Sequence, residues 1–270
     1  MNQSVSANIE RFSGFADCYD RYRPSPPAVV VDILSQLAQM PRPRLVVDIG
    51  SGTGLSTRPW AGRAERVIGI EPNADMRRQA QETTARLQIE GITYQHGTCT
   101  ATGLPGGCAD IVTCVQSLHW MEPAPTFAEI ARILRSGGVF AACDCDWPPT
   151  MNWEAEATYR VWSSGIGALE AQHGVSQDVK KWPKQEHLAC MKDSGLFRYL
   201  REVLVHQVES GSADRLVGLA KSQGGVESLL KHGLSEEQVG LTKLRETAAR
   251  ILGEEPRPWY FSYRLRIGIK

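Results

Sequence analysis

The chain has 270 residues, 42% hydrophobic and 22% charged, with 30 basic side chains against 30 acidic ones. That supplies a full core for one large domain, or one domain with a sizeable insertion, and the zero net charge offers no long-range attraction for a nucleic-acid backbone. No apolar run approaches the roughly 20 residues that span a bilayer, and the opening MNQSVSANIERFSGF lacks the basic-then-apolar layout of a secretory leader, so a cytoplasmic protein with no membrane partner is expected.

In chain order, Pro24, Pro26 and Pro27 precede a helical pattern over Ala28–Leu37, and Pro41 and Pro43 then break the chain. Leu45–Ile49 is a short Val/Ile-rich run, as a strand buried on both faces requires. A glycine-rich turn and a short helix near Ser56–Gly62 follow. Arg66–Ile70 reads as a second strand, Ala74–Leu87 as a helix, Thr93–Gln95 as a third strand and Asp110–Val115 as a fourth. Phe127–Leu134 reads as a helix closed by Gly137 and Gly138, and Val139–Asp144 as a fifth strand. Five strands separated by helical segments predict a parallel sheet with right-handed crossovers. Beyond it, Met151–Gly174 and Lys184–Ser194 look helical and Tyr199–Val208 reads as a strand. Ser212–Leu252 looks mainly helical, broken at Gly224 and Gly225, and Trp259–Ile269 is a long alternating strand.

The informative segment is LVVDIGSGTGLST, from Leu45 to Thr57. Gly50, Gly52 and Gly54 fall where the first strand turns, at the carboxyl edge where open α/β sheets bind ligands, and glycines there allow positive φ and close approach to the backbone. The spacing is G-x-G-x-G rather than the dinucleotide G-x-G-x-x-G, and no Gly-Lys-Ser/Thr makes it a phosphate loop. Asp48, two residues before the first glycine, would repel a diphosphate and suits a ligand with an ammonium group. The second strand ends in Glu71, 17 residues after Gly54, where an acid can accept both ribose hydroxyls. Loop and acid together point to an adenosine ligand without phosphates. A nicotinamide dehydrogenase is the rival reading at the level of the fold.

Several ordered segments resemble the class I S-adenosylmethionine-dependent methyltransferases, and within them the type 11 group of small-molecule enzymes. The resemblance spans roughly residues 12 to 146. Val47–Gly54 resembles that family's first motif and Gly69–Asn73 its second. Gly97–Pro105 and Ala109–Val112 resemble the segment that walls the adenine and opens the fourth strand. Gln116–Trp120 resembles the loop after that strand, and Leu134–Phe140 the entry to the fifth.

The resemblance implies a Rossmann-like methyltransferase fold: a mostly parallel seven-stranded sheet with an antiparallel C-terminal strand and a helical lid insertion. It implies a single domain over 1–270, with a core of about 28–147 plus strands 199–209 and 259–269, and a lid of about 148–198 and 212–258. It implies S-adenosylmethionine as cofactor, S-adenosylhomocysteine as product, and a small-molecule O, N or C acceptor. The expected cofactor residues are Tyr22, Arg23, Asp48, Gly50, Ser51, Gly52, Gly54, Glu71, Pro72, Met76, Thr98, Cys99, Thr100, Gln116 and Ser117. Thr100 departs from the family, which often has an acid there; its hydroxyl still accepts a hydrogen bond. Phe12–Pro24 resembles an aromatic-and-arginine segment that folds over the cofactor, with Arg23 on the methionine carboxylate and Tyr19 or Tyr22 over the cleft. A packed helix with a surface arginine is the other reading of that segment.

For the chemistry, a sulfonium methyl needs a nucleophile held about 3 Å away on the right axis, and a base only where the acceptor must lose a proton. His119, after the fourth strand, is the base candidate; a pocket-lining or structural histidine is the alternative. Trp120, Asp146 and Trp147, with Tyr19, are the substrate-contact candidates. Trp120 can equally pack against the lid, and acids such as Asp144 and Asp146 can equally lie on a solvated loop. In a reducing cytosol the seven cysteines are expected to be mostly free thiols. Cys143 and Cys145 alternate onto one strand face, but without a CxxC partner pair no metal site is expected, and an arsenic-methylating enzyme is an outsider. RNA or protein methylation, and a regulatory protein that binds the cofactor without catalysis, remain as alternative functions.

Overall fold

The computed structural model describes residues 3–270, with the Gln3 side chain left aside. Seven strands form one sheet: β1 (Leu45–Ile49), β2 (Arg66–Ile70), β3 (Ile92–Gln95), β4 (Ala109–Val115), β5 (Leu134–Cys145), β6 (Tyr199–Gly211) and β7 (Arg257–Ile269). Their order is β3-β2-β1-β4-β5-β7-β6. The pairings β1–β2, β1–β4, β2–β3 and β4–β5 are parallel, and β7 runs antiparallel to β5. The strand order reverses beside β1, so β1 and β4 diverge at the topological switch point, where ligands of such sheets bind. The expected Rossmann-like sheet, with its antiparallel C-terminal strand, is the one observed.

The helices are α1 (Gln3–Glu10), α2 (Ala16–Tyr22), α3 (Val29–Leu37), α4 (Ala74–Arg86), α5 (Pro123–Ile133), α6 (Trp153–Gln172), α7 (His187–Asp193), α8 (Ala213–Lys221), α9 (Gly224–Lys231) and α10 (Leu241–Leu252). Two compact units emerge from the contacts. One, the sheet unit, comprises residues 25–145, 181–205 and 263–270; the other, the helical unit, comprises residues 3–24, 146–180 and 206–262. Segment 181–198, read from the sequence as part of the lid, is therefore built into the sheet unit.

In the sheet unit, Val46, Val47, Ile49, Ile68, Ile70, Ile111 and Val112 are all buried, which is why β1, β2 and β4 read as continuous apolar runs. Phe140 on β5 stacks on Phe197 at 5.5 Å between ring centroids, and Phe127 of α5 meets both rings edge-on. α4 is capped by Asn73, whose Oδ1 accepts the Met76 N–H at 3.0 Å. α5 starts earlier than its apolar pattern suggests, because Pro123 fits the first turn, where its missing N–H costs nothing. The helix expected at 56–62 is only a 3-10 turn over Arg58–Trp60. The Ser56 and Thr57 hydroxyls are committed to Asp48 there, and such bonds compete with helix propagation.

In the helical unit, Trp259, Phe261, Leu219, Val226, Leu229, Leu241 and Ala248 form the core. Gly224 and Gly225 open α9 rather than interrupting a helix: a Cβ on Gly224 would lie 2.9 Å from Arg11 Cγ, and one on Gly225 2.8 Å from the carboxyl carbon of Glu170. Arg11 and Glu170 form an ion pair at 2.6 Å that needs both spaces. No helix among the described residues is long and apolar enough to cross a membrane.

Candidate active site

The glycine turn after β1 uses its three glycines for three different reasons. Gly50 has φ +71°, and a Cβ there would press on Ser117 Cβ at 2.6 Å and Met121 Cε at 2.8 Å. Gly54 has φ +86° and faces the Tyr94 hydroxyl more closely than any Cβ could tolerate. Gly52 has φ +54° and open space: a Cβ would meet nothing within 4 Å. The turn is thus packed below Gly50 and Gly54 and open above Gly52. Gly54→Ala should cost roughly 1–3 kcal/mol through left-handed strain and displacement of Tyr94, measured as a lower urea midpoint.

The backbone N–H groups of this turn are already engaged. Those of Gly50 and Ser51 donate to the Ile70 carbonyl at 2.8 and 3.2 Å, and that of Gly54 donates to the Ser51 carbonyl at 2.9 Å. The Gly52 N–H donates to Glu71 Oε2 at 2.8 Å. A diphosphate-binding loop needs such amides free to point at the anion. Here four of them are satisfied internally, and a carboxylate stands against the turn.

Glu71 follows the last residue of β2 and is buried. Its Oε1 accepts the Asn73 N–H at 2.8 Å, while the Arg77 guanidinium donates to the Glu71 carbonyl at 2.7 Å. Each carboxylate oxygen has two acceptor directions, so one on each remains for a ligand. Burial pushes this carboxyl up to about 7, against the pull of the Asn73 and Gly52 amides and the Arg77 charge. A pair of hydroxyl donors, such as those of a ribose, is what would relieve that cost.

Asp48 is fully buried on β1. Its Oδ2 accepts from Ser56 Oγ at 2.6 Å and Thr57 Oγ1 at 2.7 Å, and its Oδ1 from Thr113 Oγ1 at 2.8 Å. Burial raises its pKa, and the three hydroxyls oppose that rise. The carboxylate fastens the segment after the glycine turn to β1 and β4. These three partners were not singled out in the sequence; the only clue was the Ser-Thr pair closing the motif.

At the end of β4, Gln116 adopts φ +55°, uncommon for a residue with a side chain and a place where functional sites store strain. Its Oε1 accepts from Lys184 Nζ at 2.6 Å. Ser117 Oγ donates to the Ile49 carbonyl at 2.8 Å, tying this loop to β1. Met76 is buried in the first turn of α4, and Pro72 precedes it, half-buried. Thr98 and Thr100 approach each other at 3.3 Å between hydroxyls, Cys99 is half-buried between them, and burial pushes its thiol up.

His119 sits in a 3-10 turn over Leu118–Trp120, its ring 4.9 Å from that of Trp120. Burial lowers its pKa to about 4; Asp144 pulls the other way, and the Lys184 charge adds to the lowering. The ring is therefore neutral at pH 7. Asp144, at the end of β5, is buried rather than on a solvated loop. Its Oδ2 meets His187 Nδ1 at 3.0 Å and accepts from Arg266 Nη1 at 2.9 Å, and its Oδ1 lies 3.3 Å from Lys184 Nζ. Burial opposes its ionisation, but the two histidines and the Lys184 charge prevail and hold it well below the usual carboxylate range. Lys184, His187 and Arg266 carried no motif. They come from 3-10 turn, helix and strand far along the chain, and only the fold gathers them.

The remaining candidates lie in the helical unit. Arg23 donates to Ser222 Oγ at 2.7 Å and to the Ser222 carbonyl at 3.0 Å, and its guanidinium lies 5.2 Å from the Tyr19 ring centre and 5.0 Å from that of Trp147. Tyr22 donates to Asp214 at 3.2 Å and packs on Gly218, where there is no room for a side chain. The Asp146 N–H donates to the Ser262 carbonyl at 2.8 Å. Cys143 and Cys145 are both buried on β5, and burial pushes the Cys143 thiol well up. Among the described residues no group of three or more His, Cys, Asp or Glu side chains is placed to hold a metal.

Comparison with known proteins agrees with this geometry. Residues 47–142 match the methyltransferase-domain family profile. A curated but uncharacterised methyltransferase of Mycobacterium tuberculosis is 33% identical over 131 residues, covering 47% of this chain and 49% of that protein. The malonyl-[acyl-carrier protein] O-methyltransferase of Pectobacterium atrosepticum is 29% identical over 143 residues, covering 52% and 53%. The chain thus spans about half the length of these curated relatives. A solved structure from Anaeromyxobacter dehalogenans, assigned to the type II methyltransferases, superposes with a TM-score of 0.64 at 22% identity, over 92% of this chain and 98% of that one. At that identity the likeness speaks for the fold. From Val47 to Ala142 the chain is thus similar to a methyltransferase domain, with a strand order and glycine turn that agree with that likeness.

Proposed function

We propose that this protein binds S-adenosylmethionine at the carboxyl edge of β1, β2 and β4 and transfers its methyl group to a small-molecule O, N or C nucleophile. The observation that carries the reading is the Gly52 amide bonded to Glu71: a carboxylate takes the donor that a diphosphate would use, and the acid keeps two acceptor directions for a ribose. In this reading Gly50, Ser51, Gly52 and Gly54 pass beneath the cofactor and Asp48 holds their turn in place. Pro72, Met76, Thr98, Cys99 and Thr100 surround the adenine, and Gln116 and Ser117 stand at the methionine end. The residues present fit the group, which when bound supplies an electrophilic methyl on a good neutral leaving group.

The zero net charge supports a small acceptor over a nucleic acid. The relative that methylates malonyl-[acyl-carrier protein] supports an oxygen nucleophile as one case. On the resemblance alone, Tyr22 and Arg23 are assigned to the cofactor, and Tyr19, Trp120, Asp146 and Trp147 to the acceptor. A cytoplasmic location goes with this proposal.

The test is a calorimetric titration with S-adenosylhomocysteine and, separately, with NAD. Binding of the first and not the second is expected; preference for NAD overturns the reading. His119→Ala should leave that affinity unchanged and lower turnover by roughly 10²–10⁴-fold, as loss of a general base does. Turnover is read with a labelled methyl donor on an acceptor recovered from a metabolite extract, and full activity would remove His119 from the chemistry.

A further inference from the structure

Around Asp144 the sheet unit gathers more charge than its packing requires. Three elements aim at one carboxylate: Arg266 from β7, His187 from the start of α7 and Lys184 from the 3-10 turn before it. Arg266 is itself backed by Glu202 on β6, with Nε 2.9 Å from Oε2. Two bonds at Oδ2 fix the carboxylate plane. The other oxygen, Oδ1, has an ion-pair contact with Lys184 but no hydrogen bond among the described residues. Facing it at 3.7 Å is Nδ1 of His119, also buried and also without a hydrogen bond. A buried, unmatched ring nitrogen costs free energy unless it closes on a partner, and Oδ1 is the acceptor within reach. The Trp182 N–H holds the His119 backbone carbonyl at 2.9 Å, so the ring hangs from a fixed point.

We propose that Asp144 is a positioning residue for His119: it keeps the proton on Nδ1 and leaves Nε2 as the basic nitrogen toward the acceptor. The inference rests on the methyl-transfer reading and deepens it by naming the acceptor class, a nucleophile that still carries a proton, such as a hydroxyl or an N–H. In the step, the methyl carbon passes from sulfur to the acceptor heteroatom, and the electron pair of the broken C–S bond stays on sulfur. The acceptor's proton goes to Nε2 of His119, and the resulting imidazolium is compensated by Asp144. Arg266 and Lys184 keep that carboxylate ionised in the resting site, so it cannot take the proton itself. The low basicity of the buried ring fits this division: alone it is a poor base, and the fixed anion beside Nδ1 is what strengthens it as charge develops.

The experiment is ¹⁵N–¹H multiple-bond NMR on the full-length protein labelled at its six histidines, at pH 7, with and without S-adenosylhomocysteine, and with His119 assigned through His119→Gln. A neutral His119 protonated on Nδ1 is expected in both samples. Free imidazole side chains favour the proton on Nε2, so a His119 in that form overturns the proposal without any variant. In Asp144→Asn the preference for Nδ1 should be lost, and Asp144→Glu should restore it; an unchanged tautomer in a folded Asp144→Asn also overturns it. Failure of S-adenosylhomocysteine to bind would instead strike the methyl-transfer reading, since the tautomer is read without it.

Discussion

Arg266→Ala should lower folding stability by about 3–5 kcal/mol, the largest effect expected of a single polar substitution here. The guanidinium is 4% exposed and serves two carboxylates, Asp144 through Nη1 and Glu202 through Nε. Removing it leaves Asp144 buried with one strong partner fewer and Glu202 without its closest cation. Such loss is costly because the charge left behind cannot return to water, not because the pair was worth that much when formed. Arg266→Lys should fall between: the charge remains, but a single ammonium cannot span both acids as the fork does. Urea unfolding monitored by circular dichroism gives the comparison, and a loss below about 1 kcal/mol for Arg266→Ala would mean that water reaches Asp144. The acid limb should move as well. Asp144 has a depressed pKa in the folded chain, so the stability it confers is complete above the ordinary carboxylate range and is lost as the pH falls below it. Without Arg266 that depression shrinks, and less of the stability is lost on acidification.

The second large effect concerns the ligand. Glu71→Ala should weaken S-adenosylhomocysteine binding by roughly 1–3 kcal/mol, about 5- to 150-fold, as loss of a charged acceptor of two hydroxyls predicts. The sign of the pH dependence follows from the direction of the shift. Burial raises this carboxyl to about 7, so the ligand-free fold loses stability as the pH climbs from the ordinary carboxylate pKa through 7. A ribose donating to both oxygens favours the ionised form, so affinity should rise between pH 6 and pH 8, with proton release on binding in the lower half of that range. Glu71→Gln should bind weakly with no such slope. Calorimetry in two buffers of different ionisation enthalpy measures both. A flat profile in the unaltered protein would mean that the acid does not face the sugar.

The sheet half of the fold was legible in the sequence because its signals are local. Leu45–Ile49 and Arg66–Ile70 carry the apolar runs of doubly covered strands, and both were placed with their observed ends. β4 and β5 were found but started late, since Ala109 is a weak strand former and Leu134-Arg-Ser-Gly-Gly reads more readily as a helix end than as the strand that it is. The 3-10 turn after the glycine motif was misread as a helix, because the pattern around Trp60 does not reveal that Ser56 and Thr57 spend their hydroxyls on Asp48. The site divides along the same line. Asp48, the three glycines and Glu71 lie within 24 consecutive residues, close enough for a motif to single them out, but the expected ammonium partner Asp48 is instead buried and bonded to Ser56, Thr57 and Thr113. Arg266 is separated from Asp144 by 122 positions and His187 by 43, and nothing periodic links them. In the sequence Asp144 stays open between the acceptor pocket and a solvated loop, because a lone carboxylate after a strand usually lies on such a loop. Its burial is made tolerable only by partners that long-range folding supplies.

The bond between the Gly52 amide and Glu71 also limits how this scaffold can be retooled. Substituting Glu71 alone would free one donor while the Ile70 carbonyl still holds the amides of Gly50 and Ser51. Respacing the glycines alone would leave an anion where a dinucleotide's negative charge must go. Conversion to a nicotinamide enzyme therefore demands concerted rebuilding of the turn and the end of β2, with no single-step intermediate suited to either ligand. On the methyl-transfer reading, drift at other positions can reshape the acceptor far more cheaply than it can change the donor molecule.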